Sequence, residues 1–410
     1  MNVPRPEHPK PHFVRRRWQS LNGLWKYERE HSRMPSVDTG YGYGSLEPAG
    51  RRSVDAADIV VPFSPESPLS GIGERDLVSK QRYSRSVEIP EAWTGDRVIL
   101  HFGAVYYYAK VFVDGTLAGF HAGGSVSFSF DITELVTPGD THELVVEVLN
   151  NIWDGSQPSG KHAWKERSYG CNYTRTTGIW QSVWMEAVHA LGLADMHILP
   201  DLDEGAFTFI PEYRSVKSGT RLRVTLRDGD GVVASGERSA VDGAALTVAV
   251  ERAQAWSPET PHLYDVTYEV VDSSGAVVDR VESYAGLRKI HIEGNRLFLN
   301  NEPYFLRLVL DQGFYPDGNW TAPSDDSLRR DIELSKDAGF NGARLHQKVF
   351  EERFLYWADR LGYVVWGESA SWGLEYYREG LPPRNFLSEW REIVRRDRSH
   401  PSIIAWTPFN

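Results

Sequence analysis

The fold is decided by one stretch near the carboxyl end of the sequence, Arg395-Arg396-Asp397-Arg398-Ser399-His400-Pro401-Ser402-Ile403-Ile404-Ala405-Trp406-Thr407-Pro408-Phe409-Asn410. Its basic beginning suits the last turn of a helix, because cations favour the negative end of the helix dipole, and Pro401 cannot continue a helix. Residues 402–406 are too few for a helix and are apolar, which is typical of a strand buried on both faces. We therefore predict a helix followed by a buried strand that ends close to Asn410.

The same alternation of strand and helix extends upstream to about residue 286. Ser324 suits a helix N-cap, and Gly339 and Gly362 suit helix ends. The predicted strands cover residues 303–310, 340–345, 363–366 and 402–406, and the predicted helices begin near residues 324, 351 and 385. Strands that alternate with helices of this length indicate parallel βα units, and four such units are half of an eight-fold (β/α)8 barrel.

Two β-rich regions precede this part of the chain. Residues 13–190 contain short strands of alternating polarity with turn signals about every ten residues, which is typical of an antiparallel sandwich. Within it, residues 29–58 are rich in Gly, Ser and charge and read as a long surface loop. Residues 193–285 have Gly-containing turns at 228–231, 242–243 and 273–275, and about ninety residues of this kind suit an immunoglobulin-like sandwich.

Composition excludes several classes of function. The net charge of -11 argues against a nucleic-acid surface, which would normally be basic. No apolar run approaches the length of a membrane span, and the amino terminus lacks the apolar core of a signal peptide. Cys171 is the single cysteine, so we expect a reducing compartment, the cytoplasm. No Cys/His cluster or metal motif occurs, so we expect neither a metal nor another cofactor.

The deciding stretch closely resembles the family 2 glycoside hydrolases, which include β-galactosidases, β-glucuronidases and β-mannosidases. Their fourth barrel strand carries a pattern similar to Arg-Asp-Arg-Asn-His-Pro-Ser-Ile-Ile-x-Trp followed by Asn-Glu, and residues 396–406 match it with Ser399 in place of Asn. Further segments that resemble the family are Tyr83-Ser84-Arg85, Val111-Phe112-Val113-Asp114-Gly115, Thr177-Gly178-Ile179-Trp180-Gln181, Trp256-Ser257-Pro258-Glu259-Thr260-Pro261-His262-Leu263-Tyr264 and Gly286-Leu287-Arg288-Lys289.

This resemblance implies three domains. Residues 1–190 would form a jelly-roll, galactose-binding-like sandwich that the family uses as a sugar-binding domain. Residues 191–285 would form the immunoglobulin-like sandwich, and residues 286–410 the first four βα units of a TIM barrel, the catalytic domain. The polar and aromatic loop at 152–176 would lean toward the mouth of the active site or cap the sandwich.

Candidate site residues follow the predicted strands, because a parallel barrel places its chemistry where the strands end. Arg344 and His346 alternate and therefore point to one side of their strand. Glu368 follows a buried strand, where an unpaired charge would be costly, and Asp311 opens an acidic, aromatic loop. The resemblance implies that Arg344 helps to hold a catalytic carboxylate, and that His346, Glu368 and Asn410 contact the substrate.

Retaining glycoside hydrolysis uses two carboxyl groups about 5–5.5 Å apart, one as nucleophile and one as acid/base. The resemblance places the acid/base Glu directly after Asn410 and the nucleophile Glu on the seventh strand, so we expect no catalytic residue within this chain. The implied function is that of the amino-terminal part of a retaining β-glycosidase, inactive alone, whose substrate is a β-linked glycoside or oligosaccharide.

Two other interpretations stay open from the sequence. The chain could be a non-catalytic carbohydrate-binding protein derived from the same family. It could also be an enzyme that uses Glu368 with Asp311, as an inverting pair. The predicted strand at 402–406 would leave an uncovered sheet edge, which invites pairing with another chain, and relatives are often oligomeric. A homo-oligomer is therefore a further expectation.

Overall fold

A computed structural model describes residues 3–31, 55–153 and 155–410. The predicted surface loop at 29–58 lies mostly outside these residues, and its described ends belong to strands rather than to the loop. In the described part of the chain the first 22 strands pair antiparallel and the last four pair parallel. No helix within these ranges is long and apolar enough to cross a membrane.

The first region is a sandwich of two antiparallel sheets. The six-stranded sheet has the order β3-β2-β4-β10-β7-β8, with strands β2 (Gly23–His31), β3 (Asp55–Val61), β4 (Val78–Glu88), β7 (Tyr108–Val113), β8 (Thr116–Ala122) and β10 (Thr141–Leu149). The four-stranded sheet has the order β1-β12-β5-β9, with strands β1 (Trp18–Ser20), β5 (Arg97–Phe102), β9 (Phe128–Asp131) and β12 (Val183–Val188). A short ribbon joins β6 (Val105–Tyr106) to β11 (Gly178–Ile179).

Alternating polarity builds the core of this sandwich. Along β7, Ala109 and Val111 are buried while Lys110 between them is exposed, because successive side chains of a strand point to opposite faces. The inward residues of the two sheets, for example Trp25 of β2 and Phe102 of β5, pack in one apolar cluster. The antiparallel sandwich predicted for residues 13–190 is therefore present.

A second sandwich follows. Its three-stranded sheet contains β13 (Leu193–Asp201), β14 (Ala206–Tyr213) and β17 (Leu246–Ala249), in the order β13-β14-β17. Its four-stranded sheet has the order β16-β15-β18-β19, with strands β15 (Arg221–Asp228), β16 (Gly231–Ser239), β18 (Tyr264–Val271) and β19 (Val277–Ala285). A separate apolar cluster, which includes Phe207 and Val224, lies between these sheets.

A small antiparallel sheet of β20 (Ile290–Glu293), β21 (Arg296–Leu299) and β22 (Glu302–Pro303) leads into the parallel part. The parallel part alternates strand and helix as β23 (Leu308–Asp311), α1 (Asp325–Asp337), β24 (Gly342–Leu345), α2 (Glu352–Leu361), β25 (Val364–Glu368), α3 (Leu381–Asp397) and β26 (Ile403–Thr407). Ser324 caps α1 by accepting from Ser327 N, and Gly362 ends α2 at φ 67°. Both ends agree with the sequence prediction.

Helix α3 begins four residues before the predicted start at 385. The residues that hid its beginning are Pro382 and Pro383, which normally signal a break. Proline is tolerated in the first turn of a helix, because the first N–H groups have no partner inside the helix. The helix ends at Asp397, with Arg395 and Arg396 in its last turn, as the deciding stretch predicts.

The parallel sheet has one face against its helices. Along β24, Ala343 and Leu345 join the apolar cluster that contains Leu328 of α1 and Phe354 of α2. Arg344 lies between them and therefore faces the opposite side of the sheet. Because all four strands are parallel, their carboxyl ends meet along one rim, and the predicted site residues follow those ends.

A buried polar cluster joins the parallel part to the second sandwich. The carboxylate of Asp359 on α2 accepts from His400 Nδ1 at 2.6 Å, Tyr284 Oη at 2.8 Å and Ser402 N at 2.9 Å. Asp359 O accepts from Trp256 Nε1 at 2.7 Å. Asp359 and His400 are almost wholly inaccessible to solvent. His400 and Ser402 are therefore structural residues, and they fix where β26 begins.

Burial alone would lower the pKa of His400, but the charge and hydrogen bond of Asp359 outweigh it, so the pKa is raised above 6.5. A histidine whose folded pKa is raised stabilises the protein fully below its unfolded pKa, and this stabilisation is lost as the pH rises through the folded pKa. The stability that the pair provides should therefore decline as the pH rises above about 6.5.

We predict that Asp359→Asn lowers the free energy of unfolding by about 3–5 kcal/mol, because it leaves a buried histidine without its counter-ion. The measurement is urea unfolding followed by tryptophan fluorescence between pH 6 and pH 9, and the loss should be larger at pH 6. Asp337→Asn is the matched control, because Asp337 is exposed at the end of α1; it should change stability by less than about 0.5 kcal/mol. Equal effects of the two variants would contradict the assigned role.

Candidate functional site

Glu368 is the centre of the polar cluster at the rim. Its Oε2 accepts from Arg344 Nε at 2.6 Å, and its Oε1 accepts from both Gln347 N and Gln347 Nε2 at 3.1 Å. The side chain of Glu368 is 0% exposed, whereas that of Arg344 is 31% exposed. Arg344 NH2 also donates to Asn410 Oδ1 at 2.7 Å. Three of the predicted site residues thus form one connected set.

His346 belongs to the same set by position. Its Nδ1 lies 3.1 Å from Glu368 Oε1, but without the direction of a hydrogen bond, and this buried nitrogen has no hydrogen-bond partner among the described residues. Burial lowers the pKa of His346 below 6.5; Glu368 opposes this shift, and the charges of Lys161 and Arg344 add to it. The lowered pKa favours a neutral imidazole at pH 7, and its Nδ1 has no hydrogen-bond partner among the described residues.

Asp311 is the predicted site residue that the structure does not bring into this set. It pairs with Leu345 across the sheet, and Leu345 packs toward the helices, so Asp311 lies on the opposite face from Arg344. Its Oδ1 accepts from Gly313 N at 2.8 Å, and burial raises its pKa. The structure thus offers no common face on which Glu368 and Asp311 would act as a carboxylate pair.

Gln347 is a site residue that the sequence analysis does not predict. It has a left-handed backbone with φ 54°, which turns its amide toward Glu368. Its Nε2 also donates to Ser371 Oγ at 3.1 Å, and its Oε1 accepts from Trp372 N at 2.8 Å. Gln347 therefore ties the loop after β24 to the loop after β25. Sequence pattern carries no signal for a positive φ at a glutamine.

A loop of the first sandwich completes the rim. Ser159 N donates to Trp372 O at 2.8 Å, and Gly160 N donates to Ala370 O at 3.1 Å. Gly160 is needed there, because a Cβ on it would lie 2.3 Å from Gln347 O, and its φ is +54°. Any larger residue would push the loop away from the rim. The loop at 152–176, predicted to lean toward the site, does reach it.

An aromatic cleft of about 840 Å³ opens between this loop and the loop after β25. Its lining residues are Gly160, Trp164, Asn172, Trp372, Gly373, Leu374, Glu375, Tyr376, Tyr377 and Arg378. The rings of Trp372 and His346 are 6.1 Å apart, so the cleft adjoins the polar cluster. This size is within the range of about 300–1,000 Å³ that is usual for small-molecule sites.

The aromatic residues of the loop at 152–176 differ in their positions relative to the cleft. Trp164 lines it, together with Trp372, Tyr376 and Tyr377 of the second loop. Trp153 is buried, as is Arg175, which donates to backbone carbonyls of residues 75, 76 and 165. No group of three or more His, Cys, Asp or Glu residues that could hold a metal occurs in the described ranges.

We predict that Glu368→Gln lowers the free energy of unfolding by about 1–3 kcal/mol, since it removes a charged acceptor from three buried or half-buried donors. Thermal melting monitored by circular dichroism measures this change. Glu379→Gln is the control, because Glu379 is an exposed carboxylate in the same loop. A Glu368→Gln variant as stable as the control would mean that the cluster is not held by this carboxylate.

Two family models match the chain. "Glycosyl hydrolases family 2, sugar binding domain" covers residues 70–187, and "Glycosyl hydrolases family 2" covers residues 194–288. Among curated relatives, the β-glucuronidase of Paenibacillus borealis is 25% identical over 418 residues, which is 96% of this chain and 67% of the relative. The β-glucuronidase of Rattus norvegicus is 24% identical, over 95% of this chain and 63% of the relative.

A β-galactosidase of Thermoanaerobacter pseudethanolicus is 24% identical over 81% of this chain and 45% of its own length. Among solved structures, the β-glucuronidase of Ruminococcus gnavus in complex with D-glucaro-d-lactam has a TM-score of 0.77 at 22% identity. That match covers 99% of this chain and 68% of the neighbour, so the chain spans about two thirds of the length of the β-glucuronidases that it matches. Because the two family models together match more than half of its residues, the chain belongs to glycoside hydrolase family 2.

Proposed function

We propose that this chain forms the substrate-binding part of a retaining β-glycosidase, which hydrolyses O-glycosyl bonds. The observation that carries the proposal is the polar cluster at the rim, where Arg344, Gln347 and Glu368 are fixed against each other beside an aromatic cleft. Polar groups that fix a sugar's hydroxyls, next to rings that stack on its C–H face, are the elements of a carbohydrate site. The names of the relatives, β-glucuronidase and β-galactosidase, support the same class of substrate.

Each side chain receives a role in binding rather than in bond cleavage. Asn410 is exposed, and the buried His346 has a ring nitrogen without a hydrogen-bond partner among the described residues; we assign to both of them contacts with the sugar hydroxyls. Arg344 donates one hydrogen bond to Asn410 and, from another nitrogen, one to Glu368. Glu368 orients Arg344 and Gln347. Trp372 and Tyr376 would receive the group attached to the sugar.

We propose that Glu368 is not one of the two catalytic carboxylates. Both oxygens of Glu368 already accept hydrogen bonds, so this residue is poorly placed to give and take a proton. The family pattern expects the acid/base glutamate directly after Asn410 and the nucleophile on a later strand. We therefore propose that the four parallel strands are the first half of a (β/α)8 barrel, and that this chain does not turn over substrate alone.

The domain division is proposed in the same way. A jelly-roll domain at residues 1–190 and an immunoglobulin-like domain at 191–285 would precede the barrel domain at 286–410. The free and exposed Cys171 suits a reducing cytoplasm. Strands β23 and β26 are the two edges of the parallel sheet, and further βα units, or a second copy of the chain, would cover them.

The proposal is tested by ligand binding and turnover with the purified chain. We expect saturation-transfer NMR to detect binding of a methyl β-glycoside, and Arg344→Ala to weaken it about tenfold or more, because Arg344 holds Asn410 and Glu368 in place. Arg330→Ala, which changes an exposed arginine of α1, is the control. We also expect no hydrolysis of p-nitrophenyl β-glycosides by this chain.

Three outcomes would contradict the proposal. Absence of binding to all methyl β-glycosides, with the chain folded, would mean that the rim is not a sugar site. Hydrolysis that Glu368→Gln abolishes would mean that the catalytic pair lies within these residues. Binding without a glutamate after Asn410 in the full-length protein would favour a carbohydrate-binding protein instead.

A further inference from the structure

Helix α3 is docked on the first sandwich through a buried carboxyl group. Glu389, in the middle of the helix, is 3% exposed. Its Oε1 accepts a hydrogen bond from Ser125 N at 2.8 Å, and its Oε2 accepts a longer one from Tyr107 Oη at 3.4 Å. Both donors belong to the first sandwich, so this side chain connects the sandwich to the parallel part of the chain.

None of the ion pairs among the described residues includes Glu389, so no cation neutralises it there. The titratable groups that face it are Tyr107, Glu392 almost one turn further along α3, and His121 of β8. His121 Nε2 lies 3.2 Å from Glu392 Oε2, so the histidine is paired with the neighbouring carboxylate instead. A Cβ on Gly123 would lie 3.0 Å from the His121 ring and 3.6 Å from Glu389 Cγ, so the end of β8 packs closely on the helix.

Burial raises the pKa of Glu389 to about 7, above its ordinary value of 4.5; the N–H of Ser125 opposes this shift, and the charge of Glu392 adds to it. A carboxyl group with a raised folded pKa binds more protons in the folded than in the unfolded state between these two values. The contact is therefore most stable below about pH 4.5, and its stability falls as the pH rises to about 7. It is strongest while Glu389 is neutral.

The same helix supports both walls of the aromatic cleft. In its second turn, Asn385 Nδ2 donates to Ser156 O at 2.8 Å, in the loop of the first sandwich that reaches the rim. The loop after β25 runs directly into α3. Phe386 of α3 stacks on Phe409, next to Asn410, with 4.4 Å between the ring centroids. A shift of α3 relative to the first sandwich would therefore displace both walls and the end of the fourth parallel strand.

We propose that Glu389 is a pH-sensitive positioning residue of the cleft: its neutral carboxyl group holds the first sandwich on α3, and its ionisation loosens this contact. Ionisation releases the proton to solvent and leaves a buried carboxylate beside the like charge of Glu392, which is unfavourable until the contact opens and water reaches it. The pH dependence of the contact does not require a sugar site. Only its consequence for sugar binding rests on the function proposed above.

Hydrogen exchange followed by mass spectrometry tests the contact, because the protection of an amide measures the free energy of opening. With a pKa of about 7 in the closed contact and 4.5 in the opened one, the opening constant of residues 381–393 should rise about tenfold between pH 6 and pH 8. Glu389→Gln has a neutral side chain that does not titrate. Its protection, corrected for the intrinsic exchange rate, should be equal at the two pH values.

Two further variants serve as controls. Glu379→Gln removes an exposed carboxylate just before the helix and should retain the tenfold change of the parent chain. Glu392→Gln removes the partner of His121 but leaves Glu389 buried, so most of the change should persist.

Binding of a methyl β-glycoside, measured by saturation-transfer NMR, reports the consequence for the cleft. We expect the parent chain to bind the glycoside more weakly at pH 8 than at pH 6, because the cleft walls are less well held. Glu389→Gln should bind it equally at both pH values.

The outcomes separate the inference from the proposed function. Equal changes of protection in the parent chain and in Glu389→Gln would overturn the inference, as would a change that Glu392→Gln abolishes, because His121 and Glu392 would then carry it. A pH-dependent contact with pH-independent glycoside binding would overturn the positioning of the cleft. Absence of glycoside binding in every variant would remove the proposed sugar site, whereas the exchange measurement would still decide whether Glu389 controls the contact.

Discussion

The buried pair of Asp359 and His400 is the contact on which the rest of the structure depends. The carboxylate of Asp359 on α2 accepts hydrogen bonds from His400, in the turn before β26, and from Tyr284, at the end of the second sandwich. Arg288 reinforces the same junction by donating to the carbonyls of Pro401 and Ile403. The start of the fourth parallel strand is thereby fixed. The position of Asn410, which Arg344 connects to Glu368, is fixed with it.

The site is built by parts of the chain that are distant in sequence. The ends of the parallel strands supply Arg344 and Glu368, and the first sandwich supplies the loop at 152–176. The two parts meet through backbone hydrogen bonds and through Gly160, where any side chain would collide with Gln347 O. This arrangement places a polar cluster and an aromatic cleft side by side, although no single element contains both.

Much of this architecture was predictable from the sequence, because it rests on periodicity and on strong local signals. Ser324 and Gly362 mark helix ends by their own chemistry, and alternation places Arg344 and His346 on one side of β24. The start of α3 was missed because prolines in a first turn look like breakers. Asp311 was placed at the site although its strand register turns it to the helix side. Gln347 could not be found, since its role arises from a positive φ and from its bonds to two loops.

A crystal structure of the chain soaked with a methyl β-glycoside tests whether the sandwich loop and the ends of the parallel strands form one sugar site. We expect the sugar beside the Arg344–Glu368 pair, with its methyl group toward Trp372. A sugar bound elsewhere, for example on the outer face of the six-stranded sheet, with the rim empty, would contradict it.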